Sequence, residues 1–171
     1  MSSSSLPNYY LLIYIEDQSL RAMYQDHINA HKNNLNNQGK YGDSGFDLLV
    51  PEDITSPRTT CEPIKIDMEV SIAMFRSGLE CPCGYYLYPR SSLYKNGLRL
   101  TNSVGIIDSG YRGHLAGFFD VVRDTTIPQY SRLLQVCTPD LSPIYNIVLV
   151  ESLEDLGSTA RGVGGFGSTG F

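Results

Sequence analysis

The chain has 171 residues, 42% of them hydrophobic and 18% charged, which is one domain's worth of an ordinary soluble globular protein. Its net charge of −5 and pI near 5.1 exclude a general electrostatic attraction to nucleic acid or to an anionic membrane. A phosphate-bearing ligand therefore needs local basic residues working against the overall field.

In chain order, Met1–Ser5 is polar and reads as a frayed end. The β-forming run Tyr9–Ile15 reads as a first strand. It is too short to span a bilayer and has no basic residues before it, so neither a signal peptide nor an anchor is expected, and the protein is read as intracellular with no compartment specified. Leu20, Met23, Tyr24, His27, Ile28 and His31 then recur at helical spacing, giving one amphipathic helix of about three or four turns with Asp17 or Ser19 as N-cap. His27 and His31 lie four apart, as metal ligands on a helix can, but no carboxylate motif accompanies them and a partly buried helix face accounts for them. Asn33–Gly42 is a polar Asn/Gly loop.

Beyond Asp43 the pattern is strand and turn. Phe46–Val50 is short, apolar and ended by Pro51. Ile64, Ile66, Met68, Val70, Ile72 and Met74 alternate with mostly polar neighbours, as in a half-buried strand or one that bends once. Tyr85–Tyr88, Leu115–Val122, Ser131–Cys137 and Tyr145–Leu153 follow as further strands. Many short strands punctuated by Pro, Gly, Asp and Asn predict an all-β sandwich or barrel. After Gly157 the composition shifts to Gly, Ser and Thr, so a domain over 1–157 and a flexible arm over 158–171 are expected. Of the cysteines at 61, 81, 83 and 137 only Cys81-Pro-Cys83 is a close pair; without a second pair, reduced structural thiols are expected rather than a metal site.

The chemistry concentrates in Gly97-Leu-Arg-Leu-Thr-Asn-Ser-Val-Gly-Ile-Ile-Asp-Ser-Gly-Tyr-Arg-Gly-His-Leu115. Apolar flanks and glycines at 105, 110 and 113 predict a bent hairpin whose backbone comes close to something. Asp108, held at the turn, is a candidate general base, and Tyr111 is placed to pack flat against a ring. Arg112 reads as an exposed partner for Asp or Glu. Four other segments carry polar side chains at strand ends or in loops: Asp43-Ser-Gly-Phe-Asp-Leu48, Tyr88-Pro-Arg-Ser-Ser-Leu93, Gln129-Tyr-Ser-Arg-Leu-Leu-Gln-Val136 and Arg161-Gly-Val-Gly-Gly-Phe-Gly-Ser-Thr-Gly170. An Arg followed by hydroxyls suits phosphate oxygens, and a Gly-rich run lets successive N–H groups form an anion nest.

These five segments, in this order, resemble the five motifs of the trimeric dUTP pyrophosphatases (dUTPases), with the family's spacing kept from Pro89 to Gly113. The resemblance implies a jelly-roll-like β-barrel, assembled as a homotrimer with shared active sites; the N-terminal helix is added to it, and residues 16–42, longer than the family's usual link from first strand to first motif, read as a surface insertion. It implies hydrolysis of dUTP to dUMP and pyrophosphate with Mg²⁺, Asp47 binding the waters around the metal and Asp108 activating the attacking water. Arg90, Ser91, the Ser92 backbone and Gln135 are then phosphate contacts. Asn102 and main-chain groups of the hairpin, Gly105 and Ile107 among them, take uracil, and Tyr111 lies under the deoxyribose. From the arm, Arg161 meets the terminal phosphate, Phe166 stacks on uracil, and Gly167, Ser168 and Thr169 line the phosphates. Two positions depart from the pattern: Ser92 stands where the family often has Gly, and Tyr130-Ser131 where Gly-Asp or Gly-Glu is usual. Arg132 reads as a structural ion-pair partner. The related dCTP deaminases share similar segments but use a glutamate past the hairpin, where this chain has Phe118. A non-catalytic dUTP-binding regulator on the same fold is the third reading.

Overall fold

Alternating apolar residues decide most of the elements. The computed structural model describes residues 9–38, 41–58, 62–78, 81–159, 162 and 164. The strands are β1 (Tyr9–Tyr14), β2 (Gly45–Leu49), β3 (Ile54–Ser56), β4 (Ile64–Asp67), β5 (Ser71–Arg76), β6 (Cys81–Cys83), β7 (Tyr85–Pro89), β8 (Leu98–Leu100), β9 (Gly105–Ile107), β10 (Ala116–Val121), β11 (Thr125–Ile127), β12 (Arg132–Cys137) and β13 (Asn146–Leu149); the helix α1 is Gln18–Gln38. They form sheets ordered β13-β1-β5-β6, β4-β10-β8, β11-β3 and β2-β12-β7-β9. All ladders are antiparallel except β1 with β13. This is the expected jelly-roll-like all-β architecture with one helix.

The long alternating run does bend once. β4 and β5 lie in different sheets, and the break between them carries Glu69 at φ 53, its N–H donating to Asp67 Oδ1 at 2.9 Å. A left-handed residue there turns the chain from one layer to the other. The core between the sheets includes Leu11, Ile13, Phe46, Leu48, Ile72, Met74 and Phe119.

The helix departs from expectation in length and in role. It runs for 21 residues, through the stretch read as a loop, because Leu35 is buried and supplies a further apolar contact. Asp17 is the N-cap, accepting from Leu20 N–H at 2.7 Å. Leu20, Tyr24, Ile28 and Leu35 are all buried, so α1 is part of the packed body rather than an insertion lying on its surface. Arg21 fastens its first turn to Val150 O at 2.6 Å and to the Glu151 carboxylate at 2.6 Å.

Of the cysteines among the described residues, Cys81 is exposed, Cys83 half-buried and Cys137 buried, all as free thiols. Burial pushes the Cys137 thiol up to about 11, so it is an inert core side chain at neutral pH. Cys61 lies outside the described residues. Among the described residues no helix is long and apolar enough to cross a membrane.

Candidate active site

Two clusters of predicted site residues sit on one sheet. The first is built by three adjacent strands. Gln135 of β12 stands in register with Asp47 of β2 on one side and Tyr88 of β7 on the other, which aligns the three residues in one row. The Asp47 carboxylate meets the Arg90 Nε at 2.8 Å and an Arg132 terminal nitrogen at 3.3 Å. Arg132 is therefore the ion-pair partner its sequence context indicated. Gln135 Nε2 donates to Pro89 O at 3.3 Å, and Arg90 N–H continues the ladder to Leu133 O at 2.9 Å. Arg90 leads into the exposed Ser91 and then Ser92, whose carbonyl accepts from Lys95 N–H at 3.0 Å at the start of a short 3-10 turn over Leu93–Asn96. Ser92 has φ −86, a conformation any residue adopts, so the family's glycine is not required here by backbone geometry.

Tyr130 is different. Its φ is 63, in the left-handed region where glycine is at ease. A tyrosine costs about 1–2 kcal/mol more there. Its N–H donates to Val50 O at 2.7 Å and its ring packs on the core, which holds the turn in place.

The second cluster is the Asp108 stretch. It is a corner rather than a paired hairpin: β8 pairs with β10, whereas β9 pairs with β7, and residues 101–104 carry the chain from one sheet to the other. β9 is an edge strand. Gly105 stands opposite Leu87, and a Cβ there would lie 3.1 Å from the Leu87 Cβ, so glycine lets β9 sit close against β7. Leu87, Asn102, Gly105, Ile106, Ile107, Asp108 and Tyr111 line a cleft of about 250 Å³ together with His114, Leu115 and Ala116. Asp108 is exposed, and Ile106 is 72% exposed although apolar, as an uncovered edge position.

Tyr111 is fixed at both ends. Its N–H donates to Asp108 O at 3.0 Å, and its phenol donates to His114 O at 2.9 Å. A Cβ on Gly113 would stand 2.5 Å from that phenol oxygen, so Gly113 makes room for the ring. Burial, with help from Asp67, raises the Tyr111 pKa and keeps the phenol protonated as a donor. His114 Nδ1 in turn lies 3.3 Å from Asp67 Oδ1.

Arg112 overturns its expectation. It is 5% exposed and donates to the carbonyls of Leu156 (2.9 Å), Gly157 (3.2 Å), Ser109 (2.9 Å) and Tyr111 (2.8 Å). Sequence reasoning could not have found this role, because its partners are main-chain oxygens more than forty positions away as well as adjacent ones. Burial lowers its pKa, but the guanidinium stays charged at neutral pH. Arg112 N–H also donates to Gly162 O at 2.8 Å, and Thr159 Oγ1 donates to Gly110 O at 2.5 Å. The root of the C-terminal stretch is thus seated beside Asp108. Arg161, Phe166, Gly167, Ser168 and Thr169 lie outside the described residues.

The two clusters stand apart. Ile107 is opposite Tyr85, and Gly84 lies against Ile107 O and Ser109 N, which places Asp108 at the start of β7. Arg90 follows its other end. By that register Asp108 is level with Gly84, and from Gly84 to Arg90 is six steps of extended chain, or about 20 Å.

Comparison with known proteins matches the family model described as dUTPase over residues 31–170. The chain belongs to the dUTPase family. It is 38% identical over 142 residues to the deoxyuridine 5'-triphosphate nucleotidohydrolase of Chlamydia pneumoniae, covering 75% of this chain and 94% of that one. It is 33% identical over 132 residues to the protein of the same name from Saccharomyces cerevisiae, covering 74% and 80%. Among solved structures, the dUTPase from Streptococcus mutans aligns with 64% of this chain and 82% of its own at 24% identity and a TM-score of 0.46. Within the family match lie all of the predicted site residues, whereas the first half of α1 precedes it.

Proposed function

We propose that the chain hydrolyses dUTP to dUMP and pyrophosphate, limiting uracil incorporation into DNA and supplying dUMP for dTMP synthesis. The observation that carries this reading is an exposed carboxylate, Asp108, at the end of an edge strand that closes a cleft beside a fixed tyrosine. β9 has a partner strand on one side only, so main-chain groups along its outer side can hydrogen-bond a pyrimidine edge together with Asn102, the part the resemblance gives to Gly105 and Ile107. Tyr111 forms the platform for the sugar, where a 2′-hydroxyl is excluded sterically. Asp108 takes a proton from water, the water oxygen attacks the α-phosphorus, and the bond to the bridging oxygen breaks to release pyrophosphate.

Phosphate contacts come from Arg90, Ser91, the Ser92 backbone and Gln135, which the first cluster gathers. That cluster sits about 20 Å from Asp108 by the strand spacing, too far for one nucleotide to touch both within a protomer. The separation supports a homotrimer in which each site combines the Asp108 cleft of one subunit with the Arg90 cluster of another. The arm, through Arg161, Phe166, Gly167, Ser168 and Thr169, then closes the site and excludes water.

The metal requirement is read as Mg²⁺. Among the described residues no group of three or more His, Cys, Asp or Glu is arranged to hold a metal, and the Asp47 oxygens already meet two guanidinium groups. Such a donor set fits an outer-sphere role, with Asp47 orienting water on an ion carried by the triphosphate. When bound, Mg²⁺ neutralises charge on the departing phosphates. Arg90 and Arg161 add to that from the protein side.

The test is pyrophosphate release from dUTP, with dCTP, dTTP and UTP in parallel, in Mg²⁺ and in EDTA. Mg²⁺-dependent release from dUTP alone is expected. Ammonia from dCTP would favour the deaminase reading instead, and bound but intact dUTP would favour a regulator.

A further inference from the structure

β2 is the edge of its sheet, with β12 on one side. On the other side stands α1. Leu49 N–H donates to the Tyr24 phenol oxygen at 2.9 Å, and His27 Nε2 donates to Asp47 O at 3.0 Å. In an extended strand the carbonyl of one residue and the N–H of the residue two further on point to the same side. A neighbouring strand would take these two groups as a pair. Here two side chains one helical turn apart take them. The replacement is rigid: Tyr24 is 0% exposed, and the His27 ring lies 4.8 Å from the buried Phe46 ring, centroid to centroid. His31, one turn further on, packs on the same ring at 5.3 Å and is tied to Ile144 O at 3.0 Å.

We infer that Tyr24 and His27 are positioning residues for Asp47. The inference rests on reading Asp47 as the carboxylate that orients metal-bound water. Arg90 and Arg132 draw the Asp47 side chain toward the phosphate side, while His27 holds its main chain from behind. With the outer hydrogen bonds lost, the edge strand is free to shift and its carboxylate follows the arginines, so the orientation of the metal's water shell is lost before the arginine contacts are. Both residues precede residue 31, where the match to the family model begins, so the family match does not describe this clamp.

The test uses the full-length protein with His27→Ala, His27→Gln and Tyr24→Phe. Calorimetry measures binding of α,β-imido-dUTP in Mg²⁺ and in EDTA, alongside the melting temperature. In Mg²⁺, His27→Ala and Tyr24→Phe should bind about tenfold more weakly than wild type, the range seen when outer-shell partners of a metal site are removed. In EDTA all variants should bind alike, and His27→Gln, which keeps a donor, should recover most of the Mg²⁺ effect. Equal losses in Mg²⁺ and EDTA, or none in either, would overturn the inference. If His27→Ala does not fold, Tyr24→Phe decides, since it removes one oxygen. A wild-type protein with no preference for the dUTP analogue over UTP overturns the parent reading, and the inference falls with it.

Discussion

The guanidinium of Arg112 donates to the carbonyl of Leu156 at 2.9 Å, joining the Asp108 stretch to the segment that leads into the C-terminal arm. The same Nε also meets the Gly157 carbonyl while Nη1 takes those of Ser109 and Tyr111, a two-sided fork that a single ammonium cannot reproduce in that geometry. Arg112→Lys should lower stability by about 2–3 kcal/mol, the scale of buried hydrogen bonds to a charged donor. Urea unfolding checks this; an unchanged midpoint would show that the fork is dispensable.

Asp108→Asn keeps the shape of the cleft but removes the proton acceptor. Turnover should fall by at least about 100-fold, while binding of a non-hydrolysable dUTP analogue stays close to wild type. Comparable loss of both would count against Asp108 as the base.

Gly113→Ala tests the tyrosine platform. The added methyl would lie 2.5 Å from the Tyr111 oxygen and 2.7 Å from its Cζ, so the ring must move and give up its bond to His114 O. The ratio of kcat/KM for dUTP over UTP should drop by about tenfold. A preserved ratio would place sugar discrimination elsewhere.

The pH profile of stability should carry a histidine signature. Burial, followed by Arg132 and His31, lowers the His27 pKa below its ordinary value, with partial opposition from Asp47. The unfolded chain therefore binds a proton more readily than the native one, and this contribution is complete above about pH 6.5. It is lost as pH falls through the lower native value. Melting temperatures from pH 7 down to pH 5 should decline, and His27→Gln should flatten the decline. An identical slope in the variant would assign the effect to other groups.

Removing residues 161–171 should cut kcat far more than it changes the melting temperature, because the described core is complete before them. A fully active truncated protein would end the role assigned to the arm.

Much of this was legible in the sequence because period and spacing are local properties. β2, β7, β10 and β12 follow from short apolar runs bounded by Pro, Gly, Asp and Asn, β4 and β5 from apolar alternation, and the five motif segments from their order. What escaped depends on tertiary burial. The Asn-rich end of α1 has poor helix formers, and only the buried Leu35 shows why the helix continues. Arg112 sits between Tyr111 and Gly113, and nothing local tells that four carbonyls converge on it. The short strands β3, β6 and β11 are only three residues each, too brief to show a period. Tyr130 broke a pattern visibly, but its left-handed backbone had to be seen to explain why glycine is the easier residue there.

The α1 cap on β2 also bears on how the chain is made. Asp47 finds His27 only 20 positions back, whereas the Arg132 end of its partner strand lies 85 positions ahead. As the nascent chain leaves the ribosome, the helix is therefore available long before β12 exists. An apolar segment such as Phe46–Leu49 left bare in that interval is a template for pairing with another copy. With the helix already seated along it, one edge is closed from the outset, and β12 adds to the only side still open.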